Sequence, residues 1–153
     1  MSPSVADAPF LRIAVEFGPP EPLGEGPPGP RRRLTVATGR FDGPGLAGKV
    51  LRGGTDCVRT RPDGVFALDI RMRFRLTQGG VIAAEASGIL DMPAAMLARL
   101  RAGGDVPASD CYFRTLWRFE ADGGAPAWLT RRLAIGVGAR TADGMVTELF
   151  ALG

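Results

Sequence analysis

The sequence predicts an all-β protein, with a closed antiparallel barrel favoured over an open sandwich. Many short runs alternate apolar and polar side chains, as half-buried strands do. Clusters of Gly, Pro and Asp separate these runs, and nothing alternates helix with strand. Only one segment has helical spacing. Closure is the favoured solution because it leaves no strand edge exposed.

The strands follow in order. "FLRIAVEF" (Phe10–Phe17) sets Leu11, Ile13, Val15 and Phe17 against Arg12, Ala14 and Glu16. The next stretch, residues 18–30, is dense in Pro and Gly and is expected to be a long loop. "RLTVATGRF" (Arg33–Phe41) resumes a strand, and "DGPGLAGKVLRGG" carries two turn signals around a short apolar run. "TDCVRTRPDG" reads as a strand ending in a Pro62-Asp63-Gly64 turn. "VFALDIRMRFRL" (Val65–Leu76) is the clearest strand. Phe66, Leu68, Ile70, Met72, Phe74 and Leu76 share one face, and Asp69, Arg71, Arg73 and Arg75 lie on the other. After "TQGG", "VIAAEASGIL" completes a hairpin-like pair.

"PAAMLARLRAGG" is the helix: Pro93 suits its start, Met96, Leu97 and Leu100 form a stripe, and Gly103-Gly104 stops it. "CYFRTLWRFE", "WLTRRLAIGVGAR" and "MVTELFALG" then supply the last strands, for eight to ten in all. The chain reads as a single domain over residues 1–153, long enough to bury a core of its own.

Composition limits the chemistry. With 45% hydrophobic and 23% charged residues, the chain falls in the ordinary globular class. No apolar run is long enough to suggest a membrane span, and "MSPSVADAPF" lacks the basic and apolar regions of a signal peptide. A cytoplasmic location is therefore expected, with no membrane partner. The net charge of +3 comes almost wholly from arginine, Lys49 being the one lysine. These arginines are scattered through strands, and "RRR" (Arg31–Arg33) is too short to track a phosphate backbone, so a nucleic-acid partner is not expected.

There is no histidine, and Cys57 and Cys111 alone cannot make a zinc site. Serine–histidine and cysteine–histidine catalysis are excluded, and no metal or cofactor is expected. The cysteines are expected to be buried free thiols. The glycines of "GPGLAGKVLRGG" lack the G-K-[ST] ending of a phosphate loop, and Gly136 and Gly138 fit strand curvature or close backbone approach.

"YFRTLWRFE" (Tyr112–Glu120) raises the functional question. Tyr112, Arg114, Leu116, Arg118 and Glu120 share one face; Phe113, Thr115, Trp117 and Phe119 share the other. Alternation looks the same from inside and outside a barrel, so periodicity leaves open whether the charged faces meet water or a lumen.

Several segments in one order resemble the domain of unknown function 3237 family, also called uncharacterised protein family 0311. They are "GRFDGPGLAGKVLRGGTD", "RTRPDGVFALDIR", "YFRTLWRFE" and "WLTRRLAIGVGAR", and the likeness runs from about Phe10 to Leu152. It implies a small barrel similar to lipocalin-like or allene-oxide-cyclase-like barrels, and no shared biochemical role. Two positions depart from the family pattern. Cys57 stands where tryptophan is usual, which is expected to open space beside Asp56, and Thr130 stands where asparagine is usual.

The resemblance marks Arg40, Asp56, Arg61, Asp69, Arg71, Tyr112, Arg114, Glu120 and Trp128 as site candidates. In the cavity hypothesis Asp56 or Glu120 is the acid or base, Arg114 (with Arg40 or Arg61) holds an anionic or enolic oxygen, Tyr112 donates a hydrogen bond and Trp128 forms a wall. Asp69 and Arg71 join the substrate-binding set. The competing reading makes these residues strand-crosslinking ion pairs. The expected function is binding of a small oxygenated molecule, with cofactor-free isomerase, cyclase or hydro-lyase chemistry if the protein is an enzyme. The alternatives are a carrier or sensor, or an interaction module with Trp117 in a homodimer interface. A homodimer is expected.

Overall fold

Strand β6 (Phe66–Leu76) buries Phe66, Leu68, Ile70, Met72, Phe74 and Leu76 and exposes Asp69, Arg71, Arg73 and Arg75 between them. The same alternation runs through the other long strands of the computed structural model, which describes residues 1–153. Apolar faces therefore turn inward, and the arginine-rich faces turn to water.

The remaining elements are β1 (Leu11–Phe17), β2 (Glu21–Gly26), β3 (Gly29–Gly43), β4 (Leu46–Val50), β5 (Thr55–Thr60), β7 (Val81–Asp91), β8 (Tyr112–Ala121), β9 (Ala134–Arg140) and β10 (Gly144–Ala151), with one helix, α1 (Ala94–Arg101). Each strand pairs antiparallel with its neighbour: β6 with β7, β7 with β8, β8 with β9, and β9 with β10. β10 returns to pair with β1, and β1 pairs with β3. β1 and β2 lie end to end along one side of β3, and β4 and β5 lie end to end between β3 and β6. The ten strands thus close an eight-strand barrel in simple chain order.

Residues 18–30 differ from the expected loop. Glu21–Gly26 pairs with Gly29–Arg33 as a hairpin. Gly24 and Gly29 take φ of 101° and 110°, which supply the bends. Pro22 is tolerated because β2 is an edge strand, where a missing N–H costs no ladder bond. Proline content signals a break in a central strand but not at an edge.

The register sorts the interior into two ends. At one, Leu11, Phe41, Leu46, Leu76, Ile82, Phe119, Leu129 and Leu149 are all buried and form an apolar plug. The middle is filled by Ile13, Val36, Ile70, Phe74 and Trp117. At the other end the strands bring in Phe17, Arg32, Asp56, Phe66, Leu90, Phe113, Arg140 and Met145. There the filling is incomplete. Helix α1 follows Met92 at this end; it has no buried residue, and Leu97 packs against the core.

Candidate functional site

At the open end, eleven residues surround an enclosed hollow of about 10 Å³: Arg32, Asp56 and Arg140 among hydrocarbon side chains that include Phe66, Leu68, Phe113 and Met145. That is room for roughly one water molecule. Asp56 points inward because it shares a face of β5 with Val58; both are buried, while Cys57 between them is not. Arg140 ends the inward row of β9 that runs through Ala134, Gly136 and Gly138, and Arg32 shares its face of β3 with Leu34 and Val36.

The electrostatics of this trio are unusual. Asp56 is 3% exposed, and its Oδ1 has no hydrogen-bond partner. Burial pushes its carboxyl from 3.8 up to about 7; Arg140, the Asp69 backbone and Arg32 pull the other way without cancelling the effect. Burial also holds the Arg140 and Arg32 guanidiniums below their usual range, with Arg101 of α1 adding repulsion at Arg32. Arg140 Nε donates to the Gly144 carbonyl at 2.8 Å. The Arg32 guanidinium lies over the Phe66 ring at 5.7 Å, and its Nε is buried without an acceptor. An unpartnered carboxyl oxygen and an unpartnered guanidinium N–H at one hollow mark it as the candidate site.

Of the residues singled out from the sequence, only Asp56 lines this hollow. Tyr112, Arg114 and Glu120 do not face an enclosed cavity as expected, because β8 spends its inward positions on Phe113, Thr115, Trp117 and Phe119. Tyr112 is 55% exposed; Arg114 lies over its ring at 5.1 Å and donates to the Phe113 carbonyl at 3.0 Å. Arg40 is exposed opposite Lys49, and Arg61 pairs with Asp63 in the turn after β5. Asp69 and Arg71 sit outside the barrel, where Glu85 bonds Arg71 at 3.2 Å and also pairs with Arg118. Such exposed pairs crosslink strands weakly.

Trp128 lies at the opposite, plugged end, half-exposed and edge-on to Phe10 at 5.0 Å. Trp117 is fully buried, with its Nε1 donating to Thr115 Oγ1 at 2.7 Å, so it cannot form a subunit interface. Cys57 and Cys111 are free but half-buried rather than buried. Since adjacent strand residues face opposite ways, the small side chain at Cys57 frees space outside the barrel, not beside Asp56. Thr130 is exposed in a short helical turn.

Arg32 and Arg140 were the missed residues, although a signal for both was present. In "RRRLTV" only Arg32 has the parity of Leu34 and Val36, and in "GVGAR" Arg140 has the parity of the two glycines. A charge sharing a face with core residues is the readable mark.

A family model described as "Protein of unknown function (DUF3237)" matches residues 7–152. The chain belongs to this family. A UPF0311 protein of Rhodopseudomonas palustris strain TIE-1 is 33% identical over 149 residues, covering 97% of both chains. The crystal structure of a conserved protein of unknown function, RPA1785, from Rhodopseudomonas palustris is similar with a TM-score of 0.89 and 31% identity, covering 99% of this chain and 100% of that one. A protein from Acinetobacter baumannii AYE, described as β-barrel-like, is similar in fold at a TM-score of 0.83 and 24% identity, over 100% of this chain and 98% of its own. An enzyme from Penicillium herquei shares the fold at a TM-score of 0.68 and 16% identity, over 97% and 96% of the two chains. Membership of the DUF3237 family thus brings a closed barrel and no assigned activity. No helix is long and apolar enough to cross a membrane.

Proposed function

We propose that the open end of the barrel binds a small oxygenated organic molecule and that Asp56 moves a proton on it without a cofactor. One observation carries this reading: a buried carboxyl with a pKa of about 7 faces a hollow that it shares with two arginines, in a barrel otherwise filled mainly with hydrocarbon. Near neutrality such a group is present as acid and as base in similar amounts, the condition under which general acid–base catalysis is most effective. The chemistry that fits is removal of a proton from carbon or hydroxyl and its return elsewhere, as in isomerisation, cyclisation or hydration and its reverse.

The hollow is smaller than any such substrate. Phe17 and Met92 form a half-exposed rim, and Met145 lies beneath. Methionine side chains are unbranched and reposition easily, so admission of a guest asks for rotamer changes rather than barrel opening. The description of the Penicillium herquei protein as an enzyme is compatible with catalysis on this fold, although at 16% identity the likeness concerns architecture alone.

The pair of guanidiniums beside the single titrating carboxyl favours a second reading, a carrier that binds without turnover. The two separate on a panel of β-dicarbonyl and hydroxy-carbonyl compounds in D₂O, with deuterium exchange followed by NMR. Protein-accelerated exchange that falls by at least ~100-fold in Asp56→Asn supports proton transfer. Binding with no accelerated exchange supports the carrier, and exchange unchanged in Asp56→Asn removes Asp56 from the chemistry.

A further inference from the structure

Resting on the binding reading above, the geometry points to the class of guest: we infer that the lumen receives an organic monoanion, its charged oxygen held by Arg32 and Arg140 and its apolar body against Phe66, Leu68 and Phe113.

The charges at the hollow do not balance. Two guanidiniums line it and one carboxyl answers them. Arginine stays protonated in proteins, so the excess cannot be relieved by losing a proton, whereas Asp56 can gain one and deepen it. A third cation, Arg101, acts on Arg32 from α1. Among the carboxylates of the barrel, Asp56 alone lines this hollow; Glu85, Asp69 and Asp63 all engage arginines on the outer surface. Inside, the deficit is at least one negative charge.

The hydrogen-bond inventory agrees. Arg32 Nε is a buried donor without an acceptor, and Asp56 Oδ1 is a buried carboxyl oxygen without a partner. An anionic oxygen satisfies the first, and a neighbouring hydroxyl on the guest, donating its O–H, satisfies the second. Because Arg140 already uses Nε on the Gly144 carbonyl, its guanidinium is fixed in place with its terminal nitrogens uncommitted. Around these polar atoms the lining is hydrocarbon and aromatic, which suits an apolar ligand body and strengthens the attraction by excluding water. A neutral ligand would leave the guanidinium excess uncompensated; a cation would add to it.

The test is isothermal titration of the whole chain with benzoate and hexanoate against benzamide and hexanamide, isosteres that differ in charge. The expected result is that the acids bind at least about tenfold more tightly than the amides, that added salt weakens the acids alone, and that Arg32→Met and Arg140→Met each reduce the preference. Arg32 holds no backbone carbonyl, so Arg32→Met remains informative if Arg140→Met disturbs the β9–β10 turn. Equal binding of acids and amides overturns the anion assignment while leaving a lumen that binds small molecules. Failure of all four compounds to bind overturns the anion assignment and the binding reading together.

Discussion

Asp56 and Arg140 line the same hollow yet share no hydrogen bond; Arg140 turns its Nε to the Gly144 carbonyl, and Asp56 keeps one oxygen unpartnered. Burial without a bonded cation leaves the carboxyl with a pKa near 7. The consequence for stability runs opposite to the usual aspartate. Between about pH 4 and 7 the folded chain keeps a proton on Asp56 that the unfolded chain has released, so stability falls as pH rises and levels off above the folded pKa. The loss attributable to Asp56 is on the order of 4 kcal/mol, and Asp56→Asn should remove it. Denaturant midpoints of both proteins from pH 4 to 8 provide the check; parallel curves would contradict the raised pKa.

Thr115 accepts the Trp117 Nε1–H in the core, two residues away along the same strand face. Thr115→Val keeps the shape and strands the indole donor. A loss of about 1–3 kcal/mol in equilibrium unfolding is expected.

The Thr115 and Trp117 side chains of β8 lie over Gly136 of β9. A Cβ at Gly136 would lie 2.2 Å from Thr115 Oγ1 and 2.7 Å from Trp117 Nε1, whereas one at Gly123 meets nothing within 4 Å. Gly136→Ala should therefore destabilise by roughly 1–3 kcal/mol through overpacking, and Gly123→Ala should be near neutral. Comparable midpoints for the two variants would refute the close approach.

On the outer wall, Glu120→Gln and Arg114→Met should leave benzoate binding and deuterium exchange unchanged, since neither side chain lines the hollow. Loss of either property in these variants, with the fold intact by circular dichroism, would return the site to the outer face of β8.

The strands were legible in the sequence because a barrel wall imposes strict alternation, and β6 and β8 write it over ten residues or more. The hairpin at Glu21–Gly29 was not, since only the strand order of the folded sheet makes β2 an edge that can hold Pro22. Sequence order and the family resemblance marked Asp56 as a polar residue of interest. They also marked Tyr112, Arg114, Glu120 and Trp128, which the fold distributes over the outer wall and the plugged end.

Local pattern thus determined the strands, the turns and the two faces of each strand, because these depend on residues next to one another in the chain. Which face is interior, and which charges meet inside, depended on contacts between strands far apart in sequence. Arg32 of β3, Asp56 of β5 and Arg140 of β9 converge only when β1 and β10 close the ring. The perturbation of Asp56 follows from that closure, because desolvation is a property of the surrounding volume and not of the strand that carries the carboxyl.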